Sequence, residues 1–189
     1  MTQFRTVAPE AEPVTLVEVK RNLRIGHDSE DELLGGLIRA AREEVEAACG
    51  LALIDQSWRL SLDRLPRSGR VLLRRHPVRE ILSVTVYGKD GEASLVDPSS
   101  YSVDRNARPA RLHFSSTPEP GVAMNGIEVD FAAGFGEAGT DVPDALKRAM
   151  LMLVAHWYEF RAHFSAADQP VSLPAGYDRL IAPWRMRRL

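Results

Sequence analysis

The chain has 189 residues, of which 44% are hydrophobic and 26% charged, the composition of an ordinary globular protein with one good core or two small ones. Its 24 basic and 26 acidic side chains nearly cancel, which excludes an overall field that attracts nucleic acid or a membrane. The single cysteine, Cys49, excludes an internal disulfide and a cysteine-based zinc site, and no apolar run has the roughly 18 residues of a membrane span.

The N-terminal residues predict an arm followed by a short helix. Residues 1–14 contain two prolines and no periodic apolar pattern, so we expect a flexible arm or an extended segment that orders against a neighbour. Thr15 and Glu18 have the spacing of a capping box, in which each side chain satisfies an amide at the start of a helix. Residues 15–54 are therefore predicted to form the first part of a helical core.

A longer second helix carries an acidic face. Ser29 and Glu32 predict a capping box at its start, and Gly50 predicts its C-cap. Apolar residues recur at helical spacing on one face, and the opposite face includes the carboxylates of Glu30, Asp31, Glu43, Glu44 and Glu46. A face of this kind is usually only solvated, and its alternative role as a channel lining depends on the resemblance described below.

Residues 55–135 change to the two-residue period of strands. Apolar and polar side chains alternate in six or seven short runs, separated by turn signals such as Asp90-Gly91. The pattern predicts a small inserted antiparallel β domain, which is a sheet, a sandwich or an open barrel. A basic stretch in it either protects an outer face from aggregation or contacts phosphates, and the lack of aromatic neighbours favours the first; it contains Arg64, Arg67, Arg70, Arg74, Arg75 and Arg79.

Positions 134–139 spell G-x-G-x-x-G, the spacing of a dinucleotide-binding fingerprint. That motif requires a strand to turn directly into a helix, whose first amides receive the pyrophosphate. Here three residues separate the last glycine from Pro143, which suits a first helical turn and no deeper position. Asp141 and Asp144 fall in the cap and first turn, where their charge would repel a phosphate. We therefore expect no nucleotide cofactor, and we interpret the glycines as a hinge-like seam between the β insertion and the helical core.

Residues 136–183 predict the second part of the helical core. The main helix, from about residue 144 to 161, is apolar nearly all round, so it needs cover from the chain's own core or from another copy. The stripe expected to make these contacts is Leu146, Met150, Leu153, Trp157 and Phe160. His156, Glu159 and His163 have metal-ligand spacing, but the earlier helices supply no matching ligands, so no metal is expected.

No pattern in the chain singles out catalysis. It has no serine nucleophile elbow and no lysine-containing P-loop, and aspartates in turns have local capping roles. The predicted fold is α+β, with a helical core built from the N- and C-terminal segments and an inserted small antiparallel β domain. A small enzyme with a cleft on the β insertion stays open as an alternative to a structural protein.

Three stretches carry a family resemblance. They are TLVEVKRNLRI followed by DSEDELLGGLIRAAREEVEAACG at 15–50, VDFAAGFGEAGTDVPDALKRAMLMLVAHWYEFR at 129–161, and LPAGYDRLIAPWR at 173–185. The sheet exit, the Val-Pro helix start and the Trp-Tyr-Glu-x-Arg end of the second stretch are similar to the head-to-tail connector, or adaptor, proteins of long-tailed bacteriophages and gene transfer agents. The middle, residues 55–126, resembles that family only in its strand-rich character.

The resemblance implies a structural protein and no enzyme. It implies a ring of twelve copies under the portal protein that links the capsid to the tail and continues the channel for double-stranded DNA, without sequence-specific binding. It also implies a stopper or other tail-side partner, no membrane partner, and a place in the neck of a virion or gene-transfer-agent particle assembled in the bacterial cytoplasm. A stopper or tail-completion ring one layer lower stays open as an alternative.

Within such a ring, the basic tail at residues 184–189 is the predicted portal anchor. Trp184 and Leu189 would supply apolar contacts, and charged contacts to acidic groups would come from Arg185, Arg187 and Arg188. The acidic face of the second helix would line the channel, where like charge keeps DNA from adhering.

Overall fold

The computed structural model describes residues 1–160 and 173–185, and the chain divides into two compact units. Unit 1 contains Met1–Pro9 and Asp55–Phe135, and unit 2 contains Glu10–Ile54 and Gly136–Leu189. Unit 1 is built from antiparallel strands, and the α-helices of the described residues all belong to unit 2. The fold is therefore α+β, as the sequence predicts.

Unit 1 contains two antiparallel sheets. Its strands are β1 Thr2–Val7, β2 Gln56–Leu62, β3 Arg70–Leu73, β4 Val78–Tyr87, β5 Ala93–Leu95, β6 Tyr101–Asp104, β7 Ala110–Phe114 and β8 Ile127–Ala133. The larger sheet has the order β1-β2-β8-β4-β5, and the smaller has the order β3-β7-β6. Gly91, with a φ of 79°, lies in the turn between β4 and β5, where the sequence predicts one.

Alternation along the strands gives each sheet a buried apolar face. On β8 every second residue from Ile127 to Ala133 is buried, and Leu60 on β2 is fully covered beside them. On the smaller sheet Val71, Leu73 and Leu112 are buried, while the residues between them point outward. Both sheets therefore bury one apolar face within unit 1.

Two strands lie where the sequence shows no strand pattern. Residues 2–7, expected as a flexible or extended arm, form the edge strand β1, which pairs with β2 and is exposed along almost its whole length. β3 lies inside the basic stretch and pairs with β7. An edge strand is held mainly by main-chain hydrogen bonds, so its side chains need not alternate.

Unit 2 begins with the two predicted N-terminal helices, α1 Leu16–Leu23 and α2 Asp31–Cys49. The capping box of α1 is confirmed: Glu18 N donates to Thr15 Oγ1 at 3.1 Å, and Thr15 N donates to Glu18 Oε2 at 2.7 Å. Gly50 ends α2 in the left-handed conformation, with φ 68°, as predicted.

The predicted capping box at the start of α2 is wrong. Glu30 occupies the N-cap position and makes no side-chain cap bond. Ser29 Oγ instead lies 2.8 Å from Nδ1 of His27, so its hydroxyl bonds outside the helix. The Ser29 hydroxyl has another local partner in His27. Competing local bonds of this kind are why serine spacing alone does not fix the position of a helix cap.

The later helices of unit 2 are α3 Asp144–Phe160 and α4 Tyr177–Ile181. The carbonyl of Pro143 accepts from the amides of Leu146 and Lys147, so α3 begins directly after this proline, beyond the glycines, as predicted. A 3-10 turn over Ala182–Trp184 follows α4 and contains Pro183. Among the described residues, no helix combines the length and apolar character that crossing a bilayer requires.

Candidate functional site

The glycine-rich loop that follows β8 is shaped by close backbone contacts. A Cβ on Gly139 would lie 2.6 Å from the carbonyl oxygen of Pro13, closer than real Cβ contacts. A Cβ on Gly134 would lie 2.5 Å from both N and Cα of Asp55. These glycines are therefore required by the passage of neighbouring main chain, a structural demand that the nucleotide motif does not make.

The middle of the same loop folds onto its own carboxylate. Asp141 Oδ2 accepts from Ala138 N at 3.0 Å, and the amide of Asp141 donates to the carbonyl of Ala138. A Cβ on Gly136 would lie 2.2 Å from that same carboxylate oxygen. A loop amide thus bonds a negative charge belonging to the chain itself. Asp141 caps the 3-10 turn of this loop, which precedes the start of α3 where its capping role was expected.

The predicted stripe of α3 divides into a buried and a half-buried part. Leu146, Met150 and Leu153 are completely covered inside unit 2. Trp157 and Phe160, one and two turns further on, keep part of their side chains exposed, and the ring of Phe160 lies 4.2 Å from that of His156. The structure therefore assigns the first three residues to the core of the unit and leaves the aromatic end accessible.

The three side chains with metal-ligand spacing on α3, where no metal is expected, are only partly within the described residues. His156 contacts Phe160, Glu159 is exposed, and His163 lies outside the described residues. In residues 1–160 and 173–185, no group of three histidine, cysteine, aspartate or glutamate side chains is arranged to hold a metal.

Most of the acidic side chains predicted to line a channel are bonded within unit 2. Asp31 accepts from Lys20 Nζ at 2.8 Å, and the half-buried Glu30 accepts from the hydroxyl of Tyr158 at 2.5 Å. Glu43 is 59% exposed along its side chain, and Glu44 is half-buried. The exposed acidic surface of α2 is therefore smaller than the sequence indicates.

Glu46 does not belong to the exposed acidic face that the sequence predicts, because only 4% of this residue is exposed. Its carboxylate accepts from Arg42 Nη1 at 3.1 Å and from the amide of Leu53 at 2.8 Å. Arg42, itself buried, also donates to Glu12 at 2.9 Å. The network fastens the chain that follows Gly50 to α2, so Glu46 has a structural role.

The predicted portal anchor is described only at its beginning. Trp184 is half-buried at the end of the 3-10 turn, and Arg185 donates to Asp178 on α4 at 2.5 Å. This ion pair is exposed on both sides, so it holds Arg185 only weakly. Arg187, Arg188 and Leu189 lie outside the described residues.

The outward face of the larger sheet carries an ionic network that the sequence analysis missed. Arg59 on β2 forms two hydrogen bonds to Asp130 on β8, at 2.7 and 2.8 Å, and a third contact to Glu128 at 2.9 Å. Tyr87 on β4 donates to Glu128 at 2.9 Å. The two carboxylates raise the pKa of Arg59 above its ordinary value, and the hydrogen bond to Glu128 raises the pKa of Tyr87.

A local signal for half of this network is present in the sequence. Glu128 and Asp130 are two residues apart in a predicted strand, so they share one face. Their partner Arg59 is about 70 residues away, and only the β2-β8 register brings it opposite Asp130. Strand pairing at that distance has no local sequence signal.

Comparison with known families decides the class of the chain. The model of the head completion protein family matches residues 13–168, which is most of the sequence. The chain belongs to the head completion protein family. This membership confirms the resemblance to head-to-tail connector proteins. No curated protein matches the chain at a significant level.

Solved structures extend the similarity to the full length of this chain. The chain resembles a protein in the neck of an empty gene transfer agent particle computed with C6 symmetry, with a TM-score of 0.84 and 26% identity. It resembles a protein of the native gene transfer agent virion with a TM-score of 0.83 and 26% identity. A third similar structure, the neck of the native particle computed with C12 symmetry, gives 0.74 and 27%. Each alignment covers 100% of this chain and 97% of the other.

Proposed function

We propose that the chain is a structural adaptor that forms a ring under the portal, joins the capsid to the tail and continues the DNA channel. The observation that carries the proposal is the similarity over the full length, with a TM-score of 0.84, to a protein in the neck of a particle. Symmetries of C6 and C12 were used for those necks, and they favour a ring of twelve copies. Membership of the head completion family supports a structural role over an enzymatic one.

The half-buried end of α3 supports packing between copies in such a ring. A closed ring needs two different complementary patches on each chain. Trp157 and Phe160 are large apolar side chains that unit 2 leaves partly uncovered, and aromatic side chains commonly provide the anchors of an interface. We assign them to the contact with the neighbouring copy, and we assign the exposed Glu43 and the half-buried Glu44 to the channel side.

Binding to the portal tests the proposed layer. The purified full-length chain, mixed with the portal assembly from the same particle, is followed by mass photometry. An adaptor is expected to bind the bare portal and form a ring on it. A stopper would bind only after an adaptor ring is present, and a small enzyme would stay unbound in both experiments. Either of these last two results contradicts the proposed position.

Deletion of residues 184–189 tests the portal anchor. The truncated chain is expected to keep its melting temperature within a few degrees, because the exposed Arg185–Asp178 pair contributes little. Filled heads should then fail to join tails in an assembly assay. Arg179→Ala, at an exposed arginine on α4, is the matched control and should assemble normally. Normal joining by the truncated chain would refute the anchor.

A further inference from the structure

Positive charge in this chain is concentrated around the smaller sheet. Residues 64–79 and 101–114, which contain β3, β6 and β7, hold nine arginines and one aspartate, with no lysine and no glutamate. The whole chain has a net charge of −2, so the rest of the molecule is strongly acidic. The sequence shows only the first of these two segments as a basic stretch, because the second becomes its neighbour only through the β3-β7 pairing.

Strand register places several of these side chains on one outward face. Arg70 is opposite His113, and Leu72 is opposite Arg111, on the paired strands β3 and β7. All four are exposed, and the residues that alternate with them are buried. A shallow cavity of about 210 Å³ on this face is lined by Arg70, Ser102, Asp104, Arg111 and His113. We refer to this face, together with the loops at both ends of β3 and the loop between β6 and β7, as the arginine face.

Much of the positive charge on the arginine face has no partner within unit 1. Some of the nine arginines are engaged: Arg111 pairs with Asp104, and Arg75 lies 4.5 Å above the ring of Trp58. Within the described residues, five exposed arginines form no ion pair, namely Arg64, Arg67, Arg70, Arg74 and Arg105. Such a set can bind an anion, because guanidinium groups bind phosphate oxygens in pairs of hydrogen bonds.

We propose that the arginine face binds the phosphate backbone of double-stranded DNA. A backbone contact needs positive charge spread over an exposed surface and needs no particular base. The outward positions of the smaller sheet include no phenylalanine, tyrosine or tryptophan on which unpaired bases could stack, so a duplex fits better than a single strand. The inference rests on the proposed function in one respect, since a neck ring encloses the DNA that this face would contact.

A second copy of the chain is a weaker candidate for the arginine face. Part of its acidic surface is already engaged, since Asp28 and Asp31 bond Lys20 and Glu46 bonds Arg42, while Glu32 and Glu43 of α2 are exposed. A protein partner must also place its carboxylates at matching positions, whereas a polyphosphate offers an acceptor at every nucleotide. Charge complementarity therefore favours the duplex.

Binding of a fluorescent 25-base-pair duplex to the purified full-length chain tests the proposal. Two duplexes of unrelated sequence are titrated by anisotropy over a range of sodium chloride concentrations. We expect equal affinities for both and a log–log salt slope of about −4.5, as about five phosphate contacts require. The triple variant Arg70→Glu, Arg74→Glu, Arg105→Glu should bind at least about tenfold more weakly at low salt.

A charge-matched triple variant provides the control. Arg21, Arg39 and Arg148 are exposed arginines of unit 2, and changing all three to glutamate alters the net charge equally. We expect this control to stay within about threefold of the original affinity. If both triple variants lose affinity equally, or if the original chain does not bind at low salt, the proposal is wrong.

Portal binding by the same variants separates this proposal from the proposed function. If the original chain does not bind the duplex and the arginine-face triple variant loses portal binding, the partner of this face is an acidic protein. That result overturns the proposal. A chain that binds duplex but neither assembles nor binds the portal would contradict the adaptor role alone. Circular dichroism checks folding, and if the triple variant is unfolded, the single changes Arg70→Gln and Arg105→Gln should each weaken binding about twofold or more.

Discussion

At the scale of single residues, Gly139 offers the sharpest test of the glycine-rich loop. Replacement by alanine would place a Cβ 2.6 Å from the Pro13 carbonyl oxygen, so the main chain of one segment must move. We expect Gly139→Ala to lower the free energy of unfolding by about 1–3 kcal/mol, the usual cost of overpacking. Urea denaturation followed by circular dichroism measures the change.

Gly26→Ala is the matched control for that substitution. A Cβ at Gly26 would meet no atom within 4 Å, and the residue is exposed. Its stability should stay within about 0.5 kcal/mol of the original chain.

Addition of NAD or ATP should leave the melting temperature of the original chain unchanged, because Asp141 occupies the amide of Ala138. An unchanged Gly139→Ala variant, or a clear shift with nucleotide, would contradict this account of the loop.

Residue-level predictions from the sequence succeed where the interaction is local. Thr15 and Glu18 are three positions apart, and their capping box forms as the spacing predicts. Glu46 was misplaced on the exposed acidic face because the segment that buries it contributes the amide of Leu53. An i, i+4 pairing with Arg42 was visible in the sequence, but its burial depends on how the chain turns after Gly50.

At the scale of elements, the end of α2 depends on that buried pair. Glu46→Ala removes the acceptor of Leu53 N and one of the carboxylates around the buried guanidinium of Arg42. We expect a loss of about 3 kcal/mol in the free energy of unfolding, because a buried charge and a buried amide both lose a partner. Glu32→Ala, at an exposed glutamate on the same helix, should change it by less than about 0.5 kcal/mol. Equal effects in urea denaturation would show that the Glu46 network does not hold the end of α2.

The sequence predicts a strand most clearly when one face of that strand is buried along its length. β8 alternates buried and half-exposed residues over its whole length, and the sequence shows this strand clearly. β1 is exposed at nearly every position, and β3 is a four-residue strand between arginines. The sequence does not predict the Arg59–Asp130 network or the full arginine face for the same reason. Both depend on the register of strands that are far apart in sequence.

At the scale of the whole molecule, the net charge of the chain and the charge of its local surfaces lead to different expectations about DNA binding. A net charge of −2 excludes a general attraction for DNA, yet the arginine face is positive because the basic and acidic residues occupy different parts of the chain. Helix α3 likewise serves two purposes, with a buried beginning and an accessible aromatic end. A ring protein needs both a core of its own and surfaces left for its neighbours.

Trp157 tests whether the accessible end of α3 joins neighbouring copies. Trp157→Ala should leave the isolated chain folded, at a cost below the roughly 3–5 kcal/mol of a fully buried tryptophan, because the side chain is only half-buried. Ring formation on the portal should be lost, since an aromatic anchor at an interface contributes far more than its neighbours. Val17→Ala, at a valine of α1 that is 64% exposed, is the matched apolar control. Mass photometry should then show full rings with the control and incomplete or no rings with Trp157→Ala. Full rings with Trp157→Ala would move the subunit contact to another surface of the chain.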